Sequence, residues 1–471
     1  MGSRDTSDCP PDVVIVGGGI VGLILAAGLH RRSVPVTIYE QSSTFRESGA
    51  GIGFNIAAKA CMEMIDPAVI TALRLCGAVP ISALDPDDPH DYLRWVDGFS
   101  HDLSNGKLAG KQDWQLTPGG WQRQYMKADA GYKGIEGTRR DHFLEQMGTL
   151  FPRDMIHFDK QLESITDPDD GSRLTLRFTD GTIVMADAVI GCDGIRSKTR
   201  EFVLKPSSPV TEGQPTYTNV RSARVLVPMA AAVDALGATT ASIYYNHIGP
   251  GANLLHYPVA QNTLVNVALF YHDPQDWPED VSWTMRQSPR SEIEDAFNNW
   301  HPRIRKLLDK LPETVPVMGL FDMHDHPLAH YNNGRICVAG DAAHASSPHH
   351  GAGAGMGIED ALCLSVLMAE VAGTIRIGGV SKAAAVAAAM SVYDGARRKR
   401  SQWLVNSSRR VCDLQHNPDF ADPAKKTSAE TCFEEIMDRT LKIWNFDYMG
   451  MVRQSVEKYG REVNAIRVKS M

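Results

Sequence analysis

Apolar positions run together at the start of the chain before any alternation sets in. Residues 12–16 are almost continuously apolar, the pattern of a strand packed on both faces. Residues 20–30 are rich in Leu, Ile and Ala and predict a helix; 36–40, entered from Pro35, predict a second strand. Strand, Gly-rich turn, helix and strand make a βαβ unit that opens a parallel sheet. From about 80 to 124 the texture changes to Asp, Pro, Trp and Gly, and 105–121 reads as a surface loop. A helix returns over 138–150. Residues 173–178 and 182–190 alternate or run apolar around Asp180-Gly181, a hairpin signal. Residues 216–271, rich in Val, Tyr, Leu and Thr, predict mostly strands, and 293–311 is amphipathic. Residues 335–339 form another apolar strand, followed by a Gly-rich segment and a long Ala/Leu/Met helix from Ile358. From Ser401 onward the chain reads as mostly helical, with Trp403 and Trp444 as packing anchors.

Composition narrows the field. A chain of 471 residues, 43% hydrophobic and 22% charged, suits a globular protein of two or three domains. A net charge of -8 argues against nucleic acid as a partner, since phosphate binding needs a concentrated basic surface. A small acidic ligand needs only one or two local cations and stays allowed. The eight cysteines form no CxxC pair and read as thiols in a reducing compartment. The apolar run 13–29 carries glycines at 17, 18, 19 and 22 and is too short to span a bilayer, so a cytoplasmic protein without membrane contact is expected.

Candidate chemistry begins at Gly17-x-Gly19-x-x-Gly22. Gly17 permits the tight turn, Gly19 lets backbone approach a pyrophosphate, and Gly22 lets helix and strand pack closely. The helix N-terminus offers N–H groups and a partial positive charge to a diphosphate. Glu40 ends the second strand, where a carboxylate binds a ribose hydroxyl. A nicotinamide enzyme would not need the segments that follow. These are 46–53, containing Arg46 and Gly53; 191–197, containing Asp193 and Gly194; and Gly340-Asp341-Ala342, with Gly351, Gly353, Ala354 and Gly355 beyond it. Each is a turn at a strand end, and sheet topology gathers such ends where ligands bind. An Asp there can accept from a ribityl hydroxyl, and the glycines let backbone N–H groups reach flavin oxygens. The pattern indicates FAD. The pairs His324/His326 and His349/His350 have no third ligand at a recognised spacing, so no metal is expected.

Taken together, these motifs resemble the group A flavin monooxygenases, the salicylate- and hydroxybenzoate-hydroxylase-like family, over nearly the whole chain. The dinucleotide fingerprint, the "DG" motif at Asp193-Gly194 and the "GD" motif at Gly340-Asp341 occur in the family's order. Arg46 and Arg140 match family arginines that touch the cofactor; Gly355 stands where the family often has Asn. A closer resemblance is to fungal polyketide-pathway phenol hydroxylases and dearomatases of the 3-methylorcinaldehyde monooxygenase group. It rests on CMEMIDP from Cys61, DYLRWVDG from Asp91, HHGAGA from His349, SSRRVCD from Ser407 and FEEI from Phe433.

The resemblance implies an α/β fold. A Rossmann-like FAD-binding domain (11–80, 135–205 and 325–400) is interrupted by a β-sheet substrate domain (81–134 and 206–324), and a helical segment (401–471) follows. It implies non-covalent FAD, with NAD(P)H and O2 as co-substrates, and hydroxylation of a phenolic substrate ortho to its phenolate through a flavin C4a-hydroperoxide. Dearomatisation results where the attacked carbon is already substituted. It assigns the phenolate to Arg224 and Tyr257. From the residues alone, Arg224 in the apolar stretch 222–227 reads rather as an edge-strand surface arginine, and Tyr257 as a core aromatic; the resemblance reverses that reading. A buried cation is costly unless paired, and a phenolate would pair it. Decarboxylating hydroxylation of a salicylate, epoxidation, and flavin binding without catalysis remain alternatives. The expected assembly is a monomer or weak homodimer.

Overall fold

The computed structural model describes residues 9–45, 51–81, 90–100, 117, 119–168, 170–278 and 285–470; Arg46 and most of the loop expected over 105–121 lie outside them. The predicted βαβ unit comprises Val13–Val16, Ile20–Arg31 and Val36–Tyr39. Its strands sit inside a six-stranded sheet in the order Asn332–Asn333, Ile336–Val338, Ala188–Gly191, Val13–Val16, Val36–Tyr39, Ile156–His157. All neighbours are parallel except the first pair. All four residues of Val13–Val16 are buried, which is why the strand's sequence does not alternate. The helix Ile20–Arg31 packs against Gly353–Ile377 so closely that a Cβ on Gly28 would lie 2.8 Å from Ser365.

The second sheet has eight strands and is antiparallel except for one pair, Asn246–Ile248 against Trp95–Asp97. At its centre Thr216–Pro228 pairs with Leu264–His272, which pairs with Ala252–Val259. One face carries Ala223, Val267, Leu254 and Leu269 into a core closed by Phe297, Trp300 and Ile304. Alternation sends Arg224, Leu255, Tyr257 and Asn266 to the other face. Among the described residues, no helix is long and apolar enough to cross a membrane.

Five expectations differ in detail. The run 182–190 is two strands: Ile183–Ala186 pairs in the hairpin with Leu174–Phe178, while Ala188–Gly191 joins the parallel sheet. The stretch 216–271 includes helices at Met229–Leu236 and Ala238–Ala241, whose Ala and Leu cover the sheet's closed face. The amphipathic stretch 293–311 falls across two short helices, Arg290–Ala296 and Pro302–Leu308, the second opened by its proline. The helix expected from Ile358 starts at Gly353, so the Gly-rich segment forms its first turn. Lys382–Gln415 is a single helix that runs unbroken through position 401.

A buried ionic junction ties the long helices to the first sheet. Asp360 accepts from Gly340 N at 3.0 Å, from His344 Nε2 at 2.5 Å and from Arg397 Nε at 2.8 Å. Arg397 also meets Glu359 at 2.7 Å, and none of these side chains reaches solvent. Burial alone would raise the Asp360 pKa, but His344 and Arg397 hold it below the usual carboxylate range. The contribution of a carboxylate with a depressed folded pKa is complete above about pH 4 and is lost as pH falls through the folded value. Asp360→Asn is therefore expected to destabilise the FAD-loaded protein by about 3 kcal/mol at pH 7, read as a lower urea midpoint. The gap from the parent should narrow below about pH 4. An unchanged midpoint at pH 7 would exclude a stabilising role for the junction.

Candidate active site

Four parallel strands end at one edge, and the residues that follow each of them converge. Gly17 follows Val13–Val16, Glu40 follows Val36–Tyr39, Asp193 follows Ala188–Gly191, and Asp341 follows Ile336–Val338. All four line one cavity of about 940 Å3, whose opposite wall is the open face of the second sheet. Gly19, Gly53, Arg140, Gly194, Gly351, Gly353 and Ala354 line it too, as do Arg224 and Tyr257. Sites scattered over more than three hundred positions of sequence thus share one space.

The Gly-rich turn is built for close approach. Gly17 has φ +105°, and a Cβ there would strike the Cys192 carbonyl; one on Gly22 would strike the Gly17 carbonyl. A Cβ on Gly19 would meet no protein atom and would enter the cavity instead. Glu40 braces the turn, accepting from Gly18 N at 2.6 Å and Ser42 N at 2.8 Å. Asp193 has a structural duty: it accepts from Ser197 Oγ at 2.6 Å and from Thr199 N at 2.9 Å. A carboxylate has about four lone-pair sites, so acceptor capacity toward the cavity remains. The Asp341 side chain is exposed to the cavity, and the rest of the cavity wall surrounds it. Burial pushes its pKa up, against the pull of His344 and Arg140.

Four of the expected cofactor residues do not line the cavity. Gly22 serves helix–strand packing. Gly340 donates its N–H to Asp360, and Ala342 is buried with its carbonyl accepting from Arg200 at 3.0 Å. Gly355 faces Ala58 and Asn55.

At the sheet wall, Arg224 and Leu255 flank Ala268 in one row across three strands, and Tyr257 pairs with Asn266 in the next. Arg224 has no hydrogen-bond or salt-bridge partner among the described residues, and its Nε is buried without an acceptor. Burial lowers its pKa, partly offset by Tyr257. Burial raises the Tyr257 pKa to about 12, against the pull of Arg224.

Comparison with known proteins decides the family. Residues 136–376 match the model of an FAD binding domain. Over 456 residues the chain is 45% identical to a salicylate hydroxylase, asL1, of Sarocladium schorii, covering 96% of this chain and 91% of that one. The chain belongs to the FAD-dependent monooxygenases of the salicylate-hydroxylase type. It is also 46% identical to the FAD-dependent monooxygenase eupB of a Phoma species, covering 94% of this chain and 97% of the relative. Its fold matches a salicylate hydroxylase substrate complex with a TM-score of 0.75 at 24% identity, over 95% and 98% of the two chains. It also matches CtdE in complex with FAD and a substrate, with a TM-score of 0.72 at 19% identity, over 96% and 100%.

The cavity of this monooxygenase fits FAD. The open face of Gly19 admits a diphosphate, a carboxylate stands after each of three strands, and residues 351–354 line the cavity with small side chains or none, which leaves room for a ring. NAD(P)H and O2 are the co-substrates of this enzyme class. Motif reading did not find Asn266 or Tyr244, and it included Gly51 and His349 in its motifs without giving either a role at the cavity. Asn266 Oδ1 accepts from Gly51 N at 3.2 Å, which clips the first domain to the sheet beside Tyr257. Tyr244 stacks near Tyr257, with ring centroids 6.4 Å apart. His349 lines the cavity with Nε2 buried and unbonded, and burial holds its pKa well below that of free histidine. The period-two pattern of the sheet could have flagged Asn266; nothing local marks Tyr244.

Asp341→Ala should weaken FAD retention by about 1.5–3 kcal/mol, roughly ten- to two-hundred-fold in Kd, as for a lost charge-assisted hydrogen bond. Flavin occupancy after dialysis measures it, with urea unfolding of the stripped protein as the control. Undiminished occupancy would remove Asp341 from the cofactor.

Proposed function

We propose that this monooxygenase hydroxylates a phenol ortho to its ionised oxygen, and dearomatises the ring where that carbon already carries a substituent. One observation carries the reading: on the cavity wall, next to a tyrosine, stands a partly buried arginine whose Nε is shut off from solvent and which has no anionic partner among the described residues. An unpaired buried cation is costly, and a bound phenolate removes the cost. Bound FAD supplies the activated oxygen. Two electrons come from NAD(P)H, one atom of O2 enters the substrate and the other leaves as water.

The residues of the chain bind and orient. Arg224 stabilises the ionised phenol in a poorly hydrated site, which lowers the substrate pKa and makes the ortho carbon a stronger nucleophile. Tyr257, with its pKa near 12, keeps its proton and donates it in a hydrogen bond to the same oxygen. The second sheet screens the reaction from water. In this reading Glu40, Asp193 and Asp341 address the cofactor's hydroxyls, and FAD is held without a covalent bond. The substrate belongs to fungal secondary metabolism of the resorcinol-type polyketide kind, supported by the fungal relatives, and the enzyme works in the cytoplasm. The salicylate hydroxylase among those relatives favours a second reading, in which Arg224 holds a carboxylate that departs as CO2.

Acid denaturation should release all flavin into the supernatant; flavin that stays with the precipitated chain would overturn non-covalent binding. Titration with a phenol whose ionised form absorbs at longer wavelength should show phenolate binding below its solution pKa. Arg224→Ala should abolish that band and lower turnover by about 2–5 kcal/mol, or thirty- to several-thousand-fold, with normal FAD content. Tyr257→Phe should lose less. A full phenolate band and full turnover in Arg224→Ala would refute the assigned role, and CO2 release matching NAD(P)H consumption would favour the second reading.

A further inference from the structure

The substrate end of the cavity has a wall that the sheet does not supply. The helix Cys432–Trp444 contributes Ile436, Thr440 and Trp444 to it. They stand at i, i+4 and i+8, so they form one stripe along a single face of the helix. The stripe is apolar in effect. Thr440 Oγ1 donates to the Ile436 carbonyl at 2.8 Å, which satisfies the hydroxyl's proton within the helix. Ile436 packs in the same cluster as Trp95, with Leu93 and Trp444 at its margin. Trp444 and Leu93 also join the cluster of Tyr257, so the stripe continues from the phenolate position.

The stripe itself carries no charged group, and Asn266, His349 and His350 reach the cavity from other elements. Arg224 and Tyr257 are on the sheet, while Lys160 follows Ile156–His157, its N–H bonded to the Glu40 carbonyl at the nucleotide edge. A ligand seated with its ionised oxygen at Arg224 and Tyr257 therefore extends against hydrocarbon and indole where it meets this helix. Small phenols would leave that surface uncovered. We infer that Ile436, Thr440 and Trp444, with Leu93 and Trp95, form a subsite for an alkyl or acyl tail on the phenol, and that the C-terminal helix sets the length accepted. The inference rests on the phenol reading above and names its substrate class more closely.

The test uses the FAD-loaded enzyme and resorcinols with straight alkyl tails of one to seven carbons. Binding is followed by the perturbation of flavin absorbance. In the parent, Kd should fall roughly fourfold per added methylene until the subsite is filled. Thr440→Phe should cancel the gain for long tails and leave the one-carbon ligand within about twofold. Trp444→Ala should carry the fall in Kd on to longer tails, and it serves as the readout should Thr440→Phe lose its flavin. A Kd independent of tail length in the parent would overturn the subsite, as would equal losses for the shortest and longest ligands in Thr440→Phe. The two readings separate in the same titrations. Length dependence without a phenolate band would leave the subsite standing and remove the role of Arg224; a band without length dependence would do the reverse.

Discussion

Asp360 is the point on which the rest of the structure turns. One carboxylate receives the backbone of Gly340, the ring of His344 and the guanidinium of Arg397. Those groups belong to a strand-end turn, a short helix and a helix of 34 residues. Because the junction is dry, each donor is held in one geometry, and a misplaced one would leave a buried charge unpaired. The turn that presents Asp341 to the cavity is therefore fixed from behind. The same contacts bring in the helix Lys382–Gln415, which packs against the cavity-lining helix Cys432–Trp444.

How far the sequence discloses this arrangement depends on the range of the forces involved. Gly17, Gly19 and Gly22 are legible because their duties arise within one turn and one helix. Glu40 is legible for the same reason, one strand later. Asp193 and Asp341 are legible as acids at strand ends, but the hydrogen bonds that occupy Asp193 are not. Gly340, Ala342 and Gly355 show the limit of motif reading. They belong to the motif without lining the cavity, since their positions serve packing and the Asp360 junction. The cavity roles of Asn266 and His349 follow from strand register and loop placement; alternation hints at the face of Asn266 but not at its partner Gly51.

Arg224 and Tyr257 illustrate a third case. Their sequence context admits a surface arginine and a core aromatic, and family resemblance tips the choice. Period-two alternation then turns both toward the cavity. A one-residue slip in the pairing of Leu264–His272 would drive Val265 and Val267 into the cavity and Asn266 and Ala268 into the core. The closed face, packed with Trp300, Phe297 and Leu254, forbids that slip. The hydrophobic core thus specifies the reactive face indirectly, by making the alternative register expensive.

Among the described residues the Arg224 guanidinium stands unpaired inside the cavity, in contrast to two other arginines. Arg397 meets two carboxylates, and Arg221, only three residues from Arg224, meets Asp273 and Glu292 at 2.6 and 2.7 Å. Arg221 points to the closed side of the sheet and Arg224 to the open one. The chain therefore has the means to neutralise a buried arginine at this level of the sheet, and among the described residues it does so at Arg221 and not at Arg224. A carboxylate placed beside Arg224 would stabilise the empty protein, but it would also compete with any anionic ligand for the same donors. The ligand's charge would then have to displace an internal partner, and binding energy would be lost to that exchange. An open donor set instead reserves the full interaction for the anion that enters, which is the arrangement a phenolate-binding site needs.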